Sequence, residues 1–347
     1  MRVSPGLRRW SSTLVLSAGL ALSAQSVDAK KQEKKAAEVV ADPYPSTYRS
    51  YPGTATALVG ATVYDGRGGR IDDGVVLFRD GKLQAVGGAD MAIPDGYTRI
   101  DGTGKFVTPG VIDIHSHLGV YPSPGVDALA DGNEMTSPTT PDVWAEHSVW
   151  PQDPGFTRAL ANGGVTSLQI LPGSGNLIGG RAVTLKNVPS ITVQGMKFPG
   201  APYSLKMACG ENPKRVYGEK GQKPSTRMGN FSVDRQAWID ARQYMDGDHS
   251  ERDLGKDTLE GVLKGEILVQ NHCYRADEMA QVIDMSKEMG YKVTASTTRW
   301  KPTRSPISFA RMAFASPSGP IGTASRWKPT TAFPKTPRCS PMRGLAW

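Results

Sequence analysis

The sequence predicts an α/β protein, a parallel barrel or open sheet wound with helices and entered through a small antiparallel β unit. Three observations carry this expectation. Residues 56–108 alternate apolar and polar side chains between turn signals (DGRGG, RDGK, DGTGK), the pattern of half-buried strands. The run VIDIHSHLG is continuously apolar before it ends in a polar cluster, which suits a strand buried on both faces. After residue 150, strand-like and helix-like stretches take turns, as they do around a parallel sheet.

Taken in order, residues 1–29 read as a signal peptide. MRVSPGLRRW is a basic opening, STLVLSAGLALSA is a short apolar run, and Val27-Asp28-Ala29 places small residues where a cleavage site needs them. The apolar run is far short of the ~20 residues of a spanning helix, so no stable membrane span is expected. Residues 30–54 are charged and then rich in Pro and Tyr, a linker composition. Residues 55–108 form the β unit. Residues 109–295 carry the alternation: a helix PGFTRALANGG ending on glycine, the strands VTSLQIL and YSLKMA, a helix around SVDRQAWIDARQYMDG, the strand EILVQNHC, the helix RADEMAQVIDMSKEMG and the strand YKVTA. The cysteines Cys209, Cys273 and Cys339 are an odd, sparse set, which argues against a disulfide framework.

The net charge of +8 suggests nucleic acid until it is located. Residues 296–347 hold nine of the chain's 41 basic residues and none of its 33 acidic ones, so the remainder is one charge negative. A nucleic-acid partner is therefore not expected.

The residues that carry chemistry fall at strand ends, where a (β/α)₈ barrel keeps its active site. His115 and His117 are an i, i+2 pair, which shares a face in a strand and can reach one ion. The competing reading is two exposed histidines at a strand end. His272 ends ILVQNHC in the equivalent place, and it is a ligand or a satisfied core histidine. Lys206 is a lone cation in an apolar strand pattern, costly unless paired or modified. Glu211 follows in a Gly-Asn-Pro loop. Either residue can face a metal, Lys206 as a carbamate or Glu211 directly. The loop LPGSGNLIGGRA lacks the G-K-[ST] of a phosphate cradle and reads as substrate-lining, with Arg181 as a carboxylate partner. His147, among aromatics, is expected to be structural or substrate-lining, and His249 solvated.

The run KFVTPGVIDIHSHLG, the β unit before it, LPGSGNLIGGRAVTLKN and LKMACGENPKRVYG resemble the metal-dependent amidohydrolase superfamily, in its imidazolonepropionase-like, exported bacterial branch, over about residues 55–295. The resemblance implies a (β/α)₈ TIM-like barrel, incomplete here, with a small N-terminal β-sandwich half-domain. It implies one or two divalent ions, typically Zn²⁺, held by His115, His117, Lys206 or Glu211, and His272. The implied reaction is hydrolysis of an amide or cyclic amide C–N bond by metal-activated water. An exported metallo-dipeptidase and a non-catalytic metal-binding fragment are the alternatives. A strand-six histidine and a strand-eight aspartate would complete the site, and no histidine follows His272.

The segment 296–347 invites a further expectation. It repeats RWKPT at Arg299–Thr303 and Arg326–Thr330. With codons chosen under the family's guidance, one base added before STTRWKPTR gives FHHAVEAYK and then an acidic, helix-patterned continuation. The expectation is a one-base deletion near codon 296, leaving a disordered tail, an open strand edge and an inactive, periplasmic or secreted chain.

Overall fold

In the computed structural model, which describes residues 42–297, the alternating segment folds as one five-stranded sheet. β1 (Thr56–Tyr64), β2 (Arg70–Arg79) and β3 (Lys82–Gly87) pair antiparallel. The RDGK turn joins β2 to β3 through Asp80 and Gly81, both at positive φ (52° and 72°), the two-residue hairpin that Asp-Gly favours. β4 (Thr98–Asp101) and β5 (Phe106–Val107) then pair parallel to β1. The expected all-antiparallel unit is thus a mixed sheet. Its buried side rests on Ala57, Val75 and Leu77, with Met91, Ile93 and Tyr97 packed over them. A second sheet facing it, which a sandwich requires, is not found among the described residues.

The second part is a six-stranded sheet flanked by helices. Its strands are β6 (Val111–Ser116), β7 (Val165–Ile170), β8 (Ile178–Lys186), β9 (Ser204–Ala208), β10 (Leu268–His272) and β11 (Ala295–Thr297). They lie in sequence order across the sheet. The helices are α1 (Pro154–Gly163), α2 (Val193–Met196), α3 (Glu211–Gly218), α4 (Arg227–Met245), α5 (Leu254–Leu263) and α6 (Ala276–Met289). Capping explains several boundaries. Asp153 accepts from Gly155 N at the start of α1, which has Pro154 in its first turn, and Gly164 in the left-handed region (φ 61°) ends it.

The expected parallel order is interrupted by β8, whose residues Ile178–Ala182 belong to the stretch LPGSGNLIGGRA expected as a loop. β8 runs antiparallel to both β7 and β9, while the other neighbours are parallel. LPGSGNL is therefore the tight return between β7 and β8. Two helices also differ from expectation. ENPKRVYG, read as a loop, is α3, because proline is tolerated in a helix's first turn. LGKDTLEGVL, not singled out in the sequence, is α5, capped by Asp253 through Lys256 N.

The main core lies between β8–β10 and the helices α4, α5 and α6. Leu205, Met207 and Val269 meet Trp238, Leu259, Val262 and Met285, and Trp238 stacks on Tyr291 at 4.3 Å between ring centroids. A second cluster packs Phe156 of α1 against Leu168, Ile170, Val183 and Leu185. Cys209 and Cys273 form a disulfide joining the residues just after β9 and β10, contrary to the expectation drawn from the odd cysteine count. A single bridge between adjacent strand ends needs no framework of further cysteines.

β6 departs most from its sequence pattern. It was expected to be buried on both faces, yet Val111, Ile112 and Ile114 are 49%, 66% and 53% exposed. The reason is topological. Among the described residues β6 is an edge of its sheet, with a neighbour on one side only.

Residues 42–51, inside the expected linker, are tied down beside α2. Lys197 Nζ donates to Asp42 Oδ1 (2.7 Å) and Tyr44 O (2.8 Å), and Thr47 N donates to Gln194 O. No helix of the described residues is long and apolar enough to cross a membrane. The expected signal peptide (1–29), the first part of the linker (30–41) and residues 298–347 of the expected frameshifted tail lie outside the described residues.

Candidate metal centre

Strand alternation decides which side chains meet at the site. On β9 every residue is buried, but the two faces differ. Leu205 and Met207 join the helix-packed core. Lys206 points to the opposite face, and its register partner on β10 is Gln270, two residues before His272. Lys206 and His272 therefore project from the same face of adjacent strands. Lys206 is almost fully buried, and desolvation pushes its ammonium down to about 7.

His115 reaches this face from the other end of the sheet. Its Nε2 lies 3.1 Å from Lys206 Nζ. Its ring centroid is 5.2 Å from that of His117 and 5.9 Å from that of His272. β6 and β10 are four strand steps apart, about 19 Å in a flat sheet at ~4.8 Å per step. Rings at 5.9 Å show that the sheet curls around this point, as an incomplete TIM-like barrel does.

The electrostatics suit metal donors. Desolvation, with smaller contributions from Lys206 and the neighbouring rings, drives His115 down to about 3. The same two causes, burial first and Lys206 second, bring His272 down to about 4 and also lower His117. All three imidazoles are neutral at neutral pH, the form that binds a cation. His117 Nδ1 donates to Leu171 O at 2.8 Å, which leaves its Nε2 lone pair free to ligate. His272 Nε2 is buried with no hydrogen-bond partner, an orphaned acceptor in a polar cluster. Among the described residues, no three His, Cys, Asp or Glu groups already stand at ligation distance to one point. The donor types and the orphaned nitrogen nevertheless fit a divalent ion.

The remaining sequence candidates separate. Glu211 is exposed at the start of α3, on a cavity of about 570 Å³ with Lys214, Arg215 and Glu219, rather than in the histidine cluster. Arg181, expected as a carboxylate partner of the substrate, is buried away from the histidines. It is the register partner of Leu205 and so shares the core-side face. There its Nε donates to Thr258 Oγ1 at 2.8 Å and its guanidinium lies 4.2 Å over Trp144. His147 stacks on Trp144 and meets Tyr44 edge-on, a structural position. His249, expected to be solvated, is partly buried 3.0 Å from a Glu260 oxygen and packs on Tyr244.

Sequence reasoning missed the polar lining beside the histidines. A cavity of about 290 Å³ is lined by His117, Tyr121, Asn133, Ser174, Asn212 and Arg215 among others. Tyr121 OH donates to Asn133 Oδ1, and Asn212 Nδ2 donates to Ser174 Oγ and Tyr274 OH. Tyr274 packs on His272 at 4.7 Å. Its position two residues after His272 was the available signal.

Gly210 holds the β9–α3 corner in place. It has φ 77°, and a Cβ there would come within 2.6 Å of the Glu278 carboxylate, so only glycine fits.

A curled, largely parallel sheet thus brings three histidines near its strand ends together with a buried lysine from the middle of β9. Comparison with known proteins adds to this. No family model matches the chain. It is 32% identical over 251 residues to amidohydrolase tasK of Hapsidospora irregularis, covering 65% of this chain and 25% of tasK. It is 47% identical over 57 residues to imidazolonepropionase of Stenotrophomonas maltophilia, covering 16% of this chain and 14% of that protein. Among solved structures, an amidohydrolase from Thermotoga maritima superposes with a TM-score of 0.64 at 38% identity, covering 69% of this chain and 63% of that one. These similarities support the amidohydrolase superfamily. The chain spans about a quarter of the length of tasK and under two thirds of the Thermotoga protein.

Proposed function

We propose that the chain carries the metal-binding part of a hydrolase acting on amide or cyclic amide C–N bonds. The observation that carries this reading is the convergence of His115, His117 and His272 on the buried Lys206, with His272 Nε2 left unpartnered. The ion we propose is zinc, one or two per chain. His115, His117 and His272 would hold it as neutral donors. Lys206 would hold it after its free amine adds carbon dioxide, releasing a proton and becoming an anionic carbamate. When bound, the ion supplies an activated water and a polarised carbonyl. The chain's own residues shelter the centre, fix the His117 tautomer through Leu171 O and shape the cavity with Tyr121, Asn133 and Asn212. Lys206 is favoured over Glu211 because it faces the histidines.

The closed eight-stranded barrel, the β-sandwich and the exported location belong to the same proposal. Export is supported by the N-terminal pattern and by a disulfide, which persists in oxidising compartments. A one-base deletion near codon 296, with an inactive product, is supported by the acid-free composition beyond that point. Resequencing codons 290–347 tests it, and an intact frame encoding the same tail would sink it. The functional reading is tested by equilibrium dialysis against zinc. The chain should retain one to two equivalents, and His272→Ala should weaken retention by at least about tenfold. A wild-type chain that retains no zinc would refute the reading. With the frame restored, turnover of lactams and hydantoins against a dipeptide panel separates the cyclic-amide reading from the dipeptidase.

A further inference from the structure

We propose that Arg215 recognises a free carboxylate on the substrate, which narrows the substrate class to linear or cyclic amides that carry one. The proposal rests on the metal reading above, because it takes the cavity beside His117 as the place where substrate lies.

The cavity of about 290 Å³ has about the volume of a small ligand, and His117 is among its lining residues. Among the described residues, Arg215 is the one Asp, Glu, Lys or Arg in its lining; Tyr121, Asn133, Ser174 and Asn212 are neutral. Arg215 and Asn212 also border a cavity of about 570 Å³, so both residues are shared by the two linings. Its position on α3 offers two local carboxylates, Glu211 four residues before and Glu219 four residues after, the usual ion-pair spacing. Neither pairs with it. Among the described residues the Arg215 guanidinium makes no hydrogen bond or ion pair, whereas Arg227, Arg235, Arg252 and Arg275 each hold a carboxylate. Arg215 is solvent-exposed, and its unpartnered planar fork of donors, on a residue lining the cavity, can take a carboxylate in two-point contact. The helix bearing it is anchored, because Asn212 bonds both Ser174 and Tyr274 beside the histidines. The carboxylate role expected of Arg181 thus passes to Arg215.

The competing role for Arg215 is helix stabilisation, since it sits in the last turn of α3. Isothermal titration of the full, zinc-loaded chain separates the two. The probes are N-methanesulfonyl-L-alanine and its carboxamide, whose S–N bond resists hydrolysis. The carboxylate should bind about tenfold or more tighter than the carboxamide, as charge-assisted bonds allow. Arg215→Gln should abolish that preference while zinc content stays unchanged, and Arg215→Lys should restore part of it. Equal binding of the two probes, no binding of the carboxylate, or a preference that survives Arg215→Gln would overturn the proposal while leaving the metal reading intact. A chain that takes up no zinc overturns both, and dialysis identifies that case.

Discussion

β9 and β6 each contribute a residue to the same centre, but they are built in opposite ways. β9 is buried along its whole length, with Leu205 and Met207 locked under α4, α5 and α6. β6 leaves Val111, Ile112 and Ile114 exposed at a sheet edge while presenting His115 inward. The site is therefore rigid on its Lys206 and His272 side and weakly supported on its His115 side. Position in the sheet makes the difference, since β6 still carries Val111, Ile112 and Ile114 yet lies at an edge.

The largest expected effect is on the rigid side. Trp238→Ala should cost about 3–5 kcal/mol, because a fully buried ring stacked on Tyr291 leaves a cavity that cannot collapse. Urea unfolding measures it, and a loss below about 1 kcal/mol would deny β9 its special support. Next, replacing Cys209 and Cys273 together by serine should cost roughly 2–4 kcal/mol, given the 64-residue separation they close. The same unfolding curve in oxidised and reduced wild type provides the control.

A smaller effect concerns pH. The folded chain holds His115 and His272 far below their ordinary value, so the unfolded chain binds more protons once pH falls under about 6.5. Stability is fully present above that pH and is lost as pH falls towards about 4. For the metal-free chain this predicts a Tm drop of about 2–4 °C between pH 7 and pH 5, since the rings are only partly buried. The double variant His115→Gln with His272→Gln should flatten the slope. A slope unchanged in the variant would assign it to other groups.

The smallest effect belongs to the open side. Ile112→Lys should change stability by no more than about 0.5 kcal/mol, because its side chain is largely in solvent. It should instead reduce self-association seen by sedimentation velocity, since an exposed apolar edge strand is a pairing surface. A large loss of stability would mean that β6 is covered after all.

This contrast also explains what the sequence made legible. The strand ends, the helices α1, α4 and α6, and the four residues that converge were readable, because period-2 and period-3.6 patterns place side chains on faces. β8 was not, because its first residues, Ile178–Ala182, carry two glycines and an arginine and read as part of a loop. The face of Arg181 was lost with it, since that depends on register with Leu205. The role of Arg215 was hidden because ENPKRVYG looks like a loop until its helix is seen.

The central claim is that His115, His117 and His272 share one ion. Cobalt(II) titration of the metal-free chain, read by its visible d–d bands, tests it most directly. The bands should saturate at one or two equivalents and vanish when the three histidines are replaced by alanine. Identical bands in that variant, or none in the wild-type chain, would contradict the account.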